Sequence, residues 1–80
     1  MSRPLSAIAR DVKAAWPKPY FGAVPYLNAM MSMGDIREPY GYDSGESIVV
    51  YFLGNAHAFR GPAARALKAE LNAQLKAVRP

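Results

Sequence analysis

Asp43, Ser44 and His57 are the residue types of a nucleophilic triad, and Arg60 adds a cation close by. A Ser–His–Asp arrangement works by geometry. The imidazole must reach the hydroxyl within hydrogen-bond distance, and a carboxylate must orient the imidazole. If the apolar run after Ser44 is one helix, a rise of ~1.5 Å per residue puts His57 about 20 Å from Ser44. The two then cannot share a proton within one chain. Asp43 and Ser44, directly ahead of that run, read better as helix caps. A nucleophile elbow requires Gly-x-Ser-x-Gly, and GYDSGES sets Ser44 one step out of register. A phosphate loop requires converging glycines with Lys and Ser or Thr behind them, and GNAHAFRG has neither. No catalytic residue is assigned.

Metal chemistry is equally thin. The chain has no cysteine and one histidine, which rules out thiolate and multi-histidine sites within one chain. No metal and no cofactor are expected. His57 is read first as a histidine at a helix C-terminus, where a donor meets free carbonyls. The sharper reading groups Asn55, His57 and Arg60 around an anion. Arg60 precedes Gly61 and Pro62, at the entry to a further helix whose free N–H groups suit an anion.

Basic residues give the candidate anion or nucleic-acid set: Arg60, Arg65, Lys68 and Lys76. The last three share a broad side of one helix. Base-reading amides are few, Asn72 and Gln74, and no helix-turn-helix signature precedes them. The plainer reading is a solvated helix face. Tyrosines give a second set. Tyr40 and Tyr42 bracket Gly41 beside Glu38 and Asp43. Tyrosine joins contact area to a polar tip, so it suits interfaces. Tyr40, Tyr42, Asp43 and Arg60 are the candidate partner-binding residues. The alternative is that the tyrosines clamp their loop onto the protein.

These residues need a scaffold, and the chain is short. Eighty residues make one domain at most, burying only ~60% of the unfolded surface. The formal charge of +4 is unevenly spread. Arg3, Arg10, Lys13 and Lys18 against Asp11 give a basic start. Asp35, Glu38, Asp43 and Glu46 against Arg37 give an acidic middle. Arg60, Arg65, Lys68, Lys76 and Arg79 against Glu70 give a basic end.

Apolar spacing supplies four helices. Leu5, Ile8, Val12 and Trp16 mark the first, with Pro4 as its first residue and Pro17 and Pro19 ending it. Leu27, Met30 and Met31 mark the second, with Pro25 in its first turn and Gly34 as C-cap. Its methionines are read as core filling rather than as an adaptable binding surface. Residues 34–43 form a loop. Asp43 and Glu46 make a variant capping box ahead of the third helix. Ile48, Phe52, Ala56 and Phe59 form its buried stripe. Ser47, Tyr51, Gly54 and Ala58 form a small opposite stripe, close enough for a neighbouring helix. A lone strand here would have no partner for its backbone. Leu67, Leu71, Leu75 and Val78 mark the fourth. The expectation is all-α, one compact bundle of four short helices over residues 1–80, open to homo-oligomerisation. The longest apolar run, Ile48 to Leu53, falls far short of the ~20 residues a spanning helix needs. With no secretory signal pattern at its start, the chain is expected to be soluble and intracellular.

The runs KPYFGAVPYLNAM and YGYDSGESIVVYFLGNAHAFRGPAARALKAELNAQL resemble a group of small uncharacterised proteins encoded by phages, prophages and conjugative elements. The similarity covers nearly the whole chain. In that group a small polar residue and a tryptophan are common where this chain has Ala58 and Phe59, so the resemblance implies a shared apolar corner and leaves His57 peculiar to this sequence. The resemblance implies a mobile-element setting in the cytoplasm of a bacterial host. Small proteins in that setting often act by binding, so a host or defence protein is the expected partner. A nucleic acid or nucleotide is the alternative, and no membrane partner is expected.

Overall fold

Leu5, Ile8, Ala9 and Val12 recur at helical spacing, and α1 (Leu5–Ala15) turns all of them inward. The computed structural model describes residues 3–78. Pro4 stands one residue earlier than expected. It is the N-cap, with φ −62° and ψ 149°, because an extended ψ lets the chain enter the helix. No side chain caps α1. The amides of Leu5 and Ser6 instead donate to the carbonyls of Gly34 (2.7 Å) and Met33 (2.9 Å). The segment after the second helix thereby satisfies the free donors of the first. Pro17 stops α1 beyond Trp16.

α2 (Val24–Met31) has proline in its first turn, as expected, but ends at Ser32 rather than Gly34. The Ser32 hydroxyl donates to the Ala29 carbonyl at 2.9 Å and closes the helix early. Gly34 serves α1 instead. Met30 and Met33 are buried and Met31 is half-buried, so the methionines fill the core.

The expected loop over residues 34–43 holds a small hairpin. β1 (Pro39–Tyr40) pairs antiparallel with β2 (Asp43–Ser44), Pro39 opposite Ser44 and Tyr40 opposite Asp43. Gly41 has φ 62°, and Tyr42 keeps a negative φ. Glycine at the first of two turn residues is the II′ pattern, whose twist suits a hairpin. The expected capping box shifts by one residue. Asp43 is held in the ladder, so Ser44 is the N-cap of α3 (Gly45–Gly54), accepting the Ser47 amide at 3.2 Å.

α3 is helical despite Ile48, Val49 and Val50, because Ile48, Val49 and Phe52 then share one buried face. Burial here outweighs a modest β-branched penalty. Contrary to expectation, the helix does not run on to His57 and Phe59. It stops at Gly54. The Asn55 side chain donates to the Tyr51 carbonyl at 2.8 Å. Turns then carry the chain to Ala56 (N–H to Leu53 carbonyl, 3.3 Å) and Phe59 (N–H to Ala56 carbonyl, 3.0 Å). Both are buried, so the apolar period outlives the helix.

α4 (Pro62–Val78) buries Ala64, Leu67, Leu71, Gln74 and Leu75. α1 packs on α2, α2 on α3, α3 on α4, and α4 back on α1. The result is an all-α bundle of four helices plus the two-residue ladder. Trp16 stacks on Phe59, ring centres 5.0 Å apart, where the far ends of the sequence's first and third apolar stripes meet. At the opposite end Arg3 bonds Asp11 (2.7 Å) and both Glu70 oxygens (2.8 and 2.7 Å), and Gln74 donates to the Arg3 carbonyl at 2.8 Å. The Glu70 carboxyl is held below its ordinary value, first by its hydrogen bonds from Arg3. No helix among the described residues is long and apolar enough to cross a membrane.

Candidate functional site

The hairpin lifts two tyrosines away from the bundle. Tyr42 is wholly exposed (110%) at the turn, and Tyr40 is about half exposed beside it, at 44%. The base of the hairpin is fixed. The Gly45 amide donates to the Glu38 carbonyl at 2.8 Å. Gly45 is buried so tightly that a Cβ there would lie 2.9 Å from the Ile36 Cα and run into the Ile36 carbonyl. The carboxylate of Glu38 accepts the Asp35 amide (2.9 Å), and that of Asp35 accepts the Arg37 amide (2.7 Å). The loop is therefore braced from both sides. Asp43 is exposed, and no hydrogen bond or ion pair of its carboxylate occurs among the described residues. Tyr42 does not clamp the loop down; it stands off it, in a net acidic segment, while Tyr40 is partly covered.

Arg60 is not part of this finger. It lies past the far end of α3, exposed, its Nε donating to the His57 carbonyl at 3.3 Å. The expected partner-binding set is thus split. Tyr40, Tyr42 and Asp43 sit together, and Arg60 is separated from them by α3, whose ten residues span about 15 Å.

The expected cationic set divides as well. Phe59, Arg60, Gly61, Ala64, Arg65 and Lys68 line a recess of about 300 Å³ at the start of α4. Its charged lining residues are all cations. Lys68 is partly committed, because its ammonium donates to the Phe59 carbonyl at 2.6 Å and lies 5.8 Å from the Phe59 ring centre. Arg65 is exposed, and no hydrogen bond or ion pair of its guanidinium occurs among the described residues. Lys76 is elsewhere. Eleven residues along α4 place it about 16 Å beyond Arg65, toward the end where Ala77 and Val78 face Asp35 and Arg37. The four cations do not form one stripe.

Ser44 and His57 lie beyond opposite ends of α3. The Ser44 hydroxyl is engaged with Ser47. His57 is in the turn after α3 rather than at its C-terminus, so its ring is not placed by that helix end. It lines a second recess of about 300 Å³ with Tyr20, Gly54, Asn55 and Ala58.

One surface was missed by sequence reasoning. Tyr20, Phe21 (78% exposed), Val50 and Tyr51 are exposed apolar side chains on the α2–α3 side, with Tyr26 leaning on Tyr51 at 5.4 Å. The small stripe of Ser47, Tyr51 and Gly54 was expected to receive a helix. Apart from its chain neighbours and the helix's own backbone, nothing lies within 4 Å of a Cβ built at Gly54, and Tyr51 is half open. The run of six apolar residues from Ile48 to Leu53 was the available signal. A helix cannot bury six consecutive residues on one face. No family profile, curated protein or solved structure matches the chain.

Proposed function

We propose that the protein is a non-enzymatic accessory protein of a phage or mobile element. It acts in the bacterial cytoplasm by binding a host or defence-system protein through the tyrosine finger. The observation that carries this reading is Tyr42, a wholly exposed aromatic ring on a hairpin whose base is braced. A tyrosine has only two side-chain torsions to lose on binding, so its contact area converts well into affinity. Tyr40 adds area, and Asp43, with no ion partner among the described residues, adds a charge to orient the partner. The mobile-element setting rests on the resemblance of the sequence.

The test is capture of partners from host lysate by tagged protein, with and without nuclease, using the wild type and Tyr42→Ala. One dominant protein that survives nuclease and is lost with Tyr42→Ala is the expected result. Co-purifying nucleic acid, with protein partners vanishing after nuclease, overturns it. The recess of Arg60, Arg65 and Lys68 favours that second reading. A steep loss of binding with salt then follows from release of counterions.

A further inference from the structure

Arg60 and Tyr42 cannot meet within one molecule, yet the surfaces around them are complementary. The finger segment carries Asp35, Glu38, Asp43 and Glu46 against Arg37. The recess carries Arg60, Arg65 and Lys68 with no acid, over a Phe59 floor. The two lie at opposite ends of the bundle. Asp35 and Arg37, next to the finger, share a depression with Ala77 and Val78 at the end of α4. The recess is at the start of α4, a helix of 17 residues or about 25 Å. Unlike surfaces on opposite ends produce head-to-tail contacts, which extend or close into rings.

We propose that the finger of one molecule docks in the basic recess of a second copy. Tyr42 lies across the mouth of the recess, its ring under the exposed Arg60 and Arg65 guanidiniums, which attract the face of an aromatic ring. Asp43 pairs with Arg65, whose planar fork donates two parallel hydrogen bonds to a carboxylate. About 300 Å³ is room for one aromatic side chain. The contact is small, below the ~1,200 Å² of stable complexes, so it is transient and concentration-dependent. It rests on the reading of the finger as a binding element, and makes the free protein's own recess the first competitor for that finger.

Sedimentation equilibrium of the full chain tests this. In about 0.1 M salt the wild-type mass rises with concentration from 8.7 kDa to twice that value and beyond. In about 1 M salt, where screening shortens from ~10 to ~3 Å, association weakens roughly tenfold. Tyr42→Ala lacks a finger and Arg65→Glu lacks a recess, so each alone stays monomeric. Mixed in equal amounts they form a dimer and stop there, because one finger and one recess remain. That dimer also shows that both variants are folded. A wild type that is monomeric throughout overturns the proposal, as does association that survives in either variant alone. So does a mixture without dimer. A monomeric wild type that still captures a host protein through Tyr42 refutes self-docking alone. Self-docking without such capture refutes only the host-partner reading.

Discussion

Two glycines in α3 respond to alanine in opposite directions, and the pair tests how the finger is held. At Gly45 the added methyl meets the Ile36 backbone, with the Ile36 Cα 2.9 Å away. Backbone cannot swing aside as a side-chain tip can. Relief requires the hairpin base to move off α3, stretching the bond from the Gly45 amide to the Glu38 carbonyl. Overpacking of this kind costs ~1–3 kcal/mol, and the weakened hydrogen bond adds ~1. Higher helix propensity returns up to ~1. The net is a destabilisation of about 2 kcal/mol, from a total of roughly 4–12 for this length. For a domain of this size that lowers Tm by about 8–16 °C. At Gly54 nothing beyond its chain neighbours and the helix's own backbone lies within 4 Å of the new methyl and φ is not positive. Alanine there gains ~0.5–1 kcal/mol from backbone entropy. Thermal and urea unfolding followed by circular dichroism measure both. Gly45→Ala should also weaken partner capture with the Tyr42 ring untouched. Equal stability of the two variants, or a reversed order, refutes the docking of the hairpin on α3.

Phe52 is fully buried. Phe52→Ala should cost ~3–5 kcal/mol, a large share of the roughly 4–12 available, and lower Tm by about 12–40 °C. Phe59→Leu removes the stack on Trp16. It should red-shift the emission of that single tryptophan and cost ~0.5–1.5 kcal/mol beyond lost area. Glu70 is held below the ordinary carboxyl value of 4.5. A depressed carboxyl contributes stability that is present above 4.5 and lost as pH falls through its folded value. Urea midpoints should therefore fall below about pH 4.5, less steeply for Glu70→Gln than for the wild type, with Arg3 charged throughout.

The helices were legible because burial repeats at three and four residues. Leu5, Ile8 and Val12, or Leu67, Leu71 and Leu75, leave no second period to choose. Ends were less legible, since they depend on single polar bonds. Ser32 closes α2 through its own hydroxyl, and Asn55 closes α3 by bonding back to Tyr51. A two-residue ladder has no period, so the hairpin hid inside a loop, although Gly41 before Tyr42 carried its turn signal. Tyr40, Tyr42 and Asp43 are neighbours in sequence and remain neighbours in space. Arg60 is joined to them only by α3, and an apolar run records length without direction. The aromatic face of Phe21 and Tyr51 was hidden by the expectation that every apolar residue of α3 is packed.

The Arg3 clip also decides how the molecule yields to force. Arg3 sits before the first helix and holds Glu70 and Gln74 in the last. α1 and α4 run antiparallel, with Trp16 meeting Phe59 at their other end. Tension applied across residues 3 and 78 therefore loads the clip first, with the Leu5 and Ser6 amide bonds to Gly34 and Met33 next in line. It parts as a zipper does, one turn of α1 after another, rather than by shearing two helices at once. An unfolding machine that seizes either end meets this clip as the first resistance. Its rupture then uncovers Leu5 and Leu75 before the Trp16–Phe59 stack feels any load.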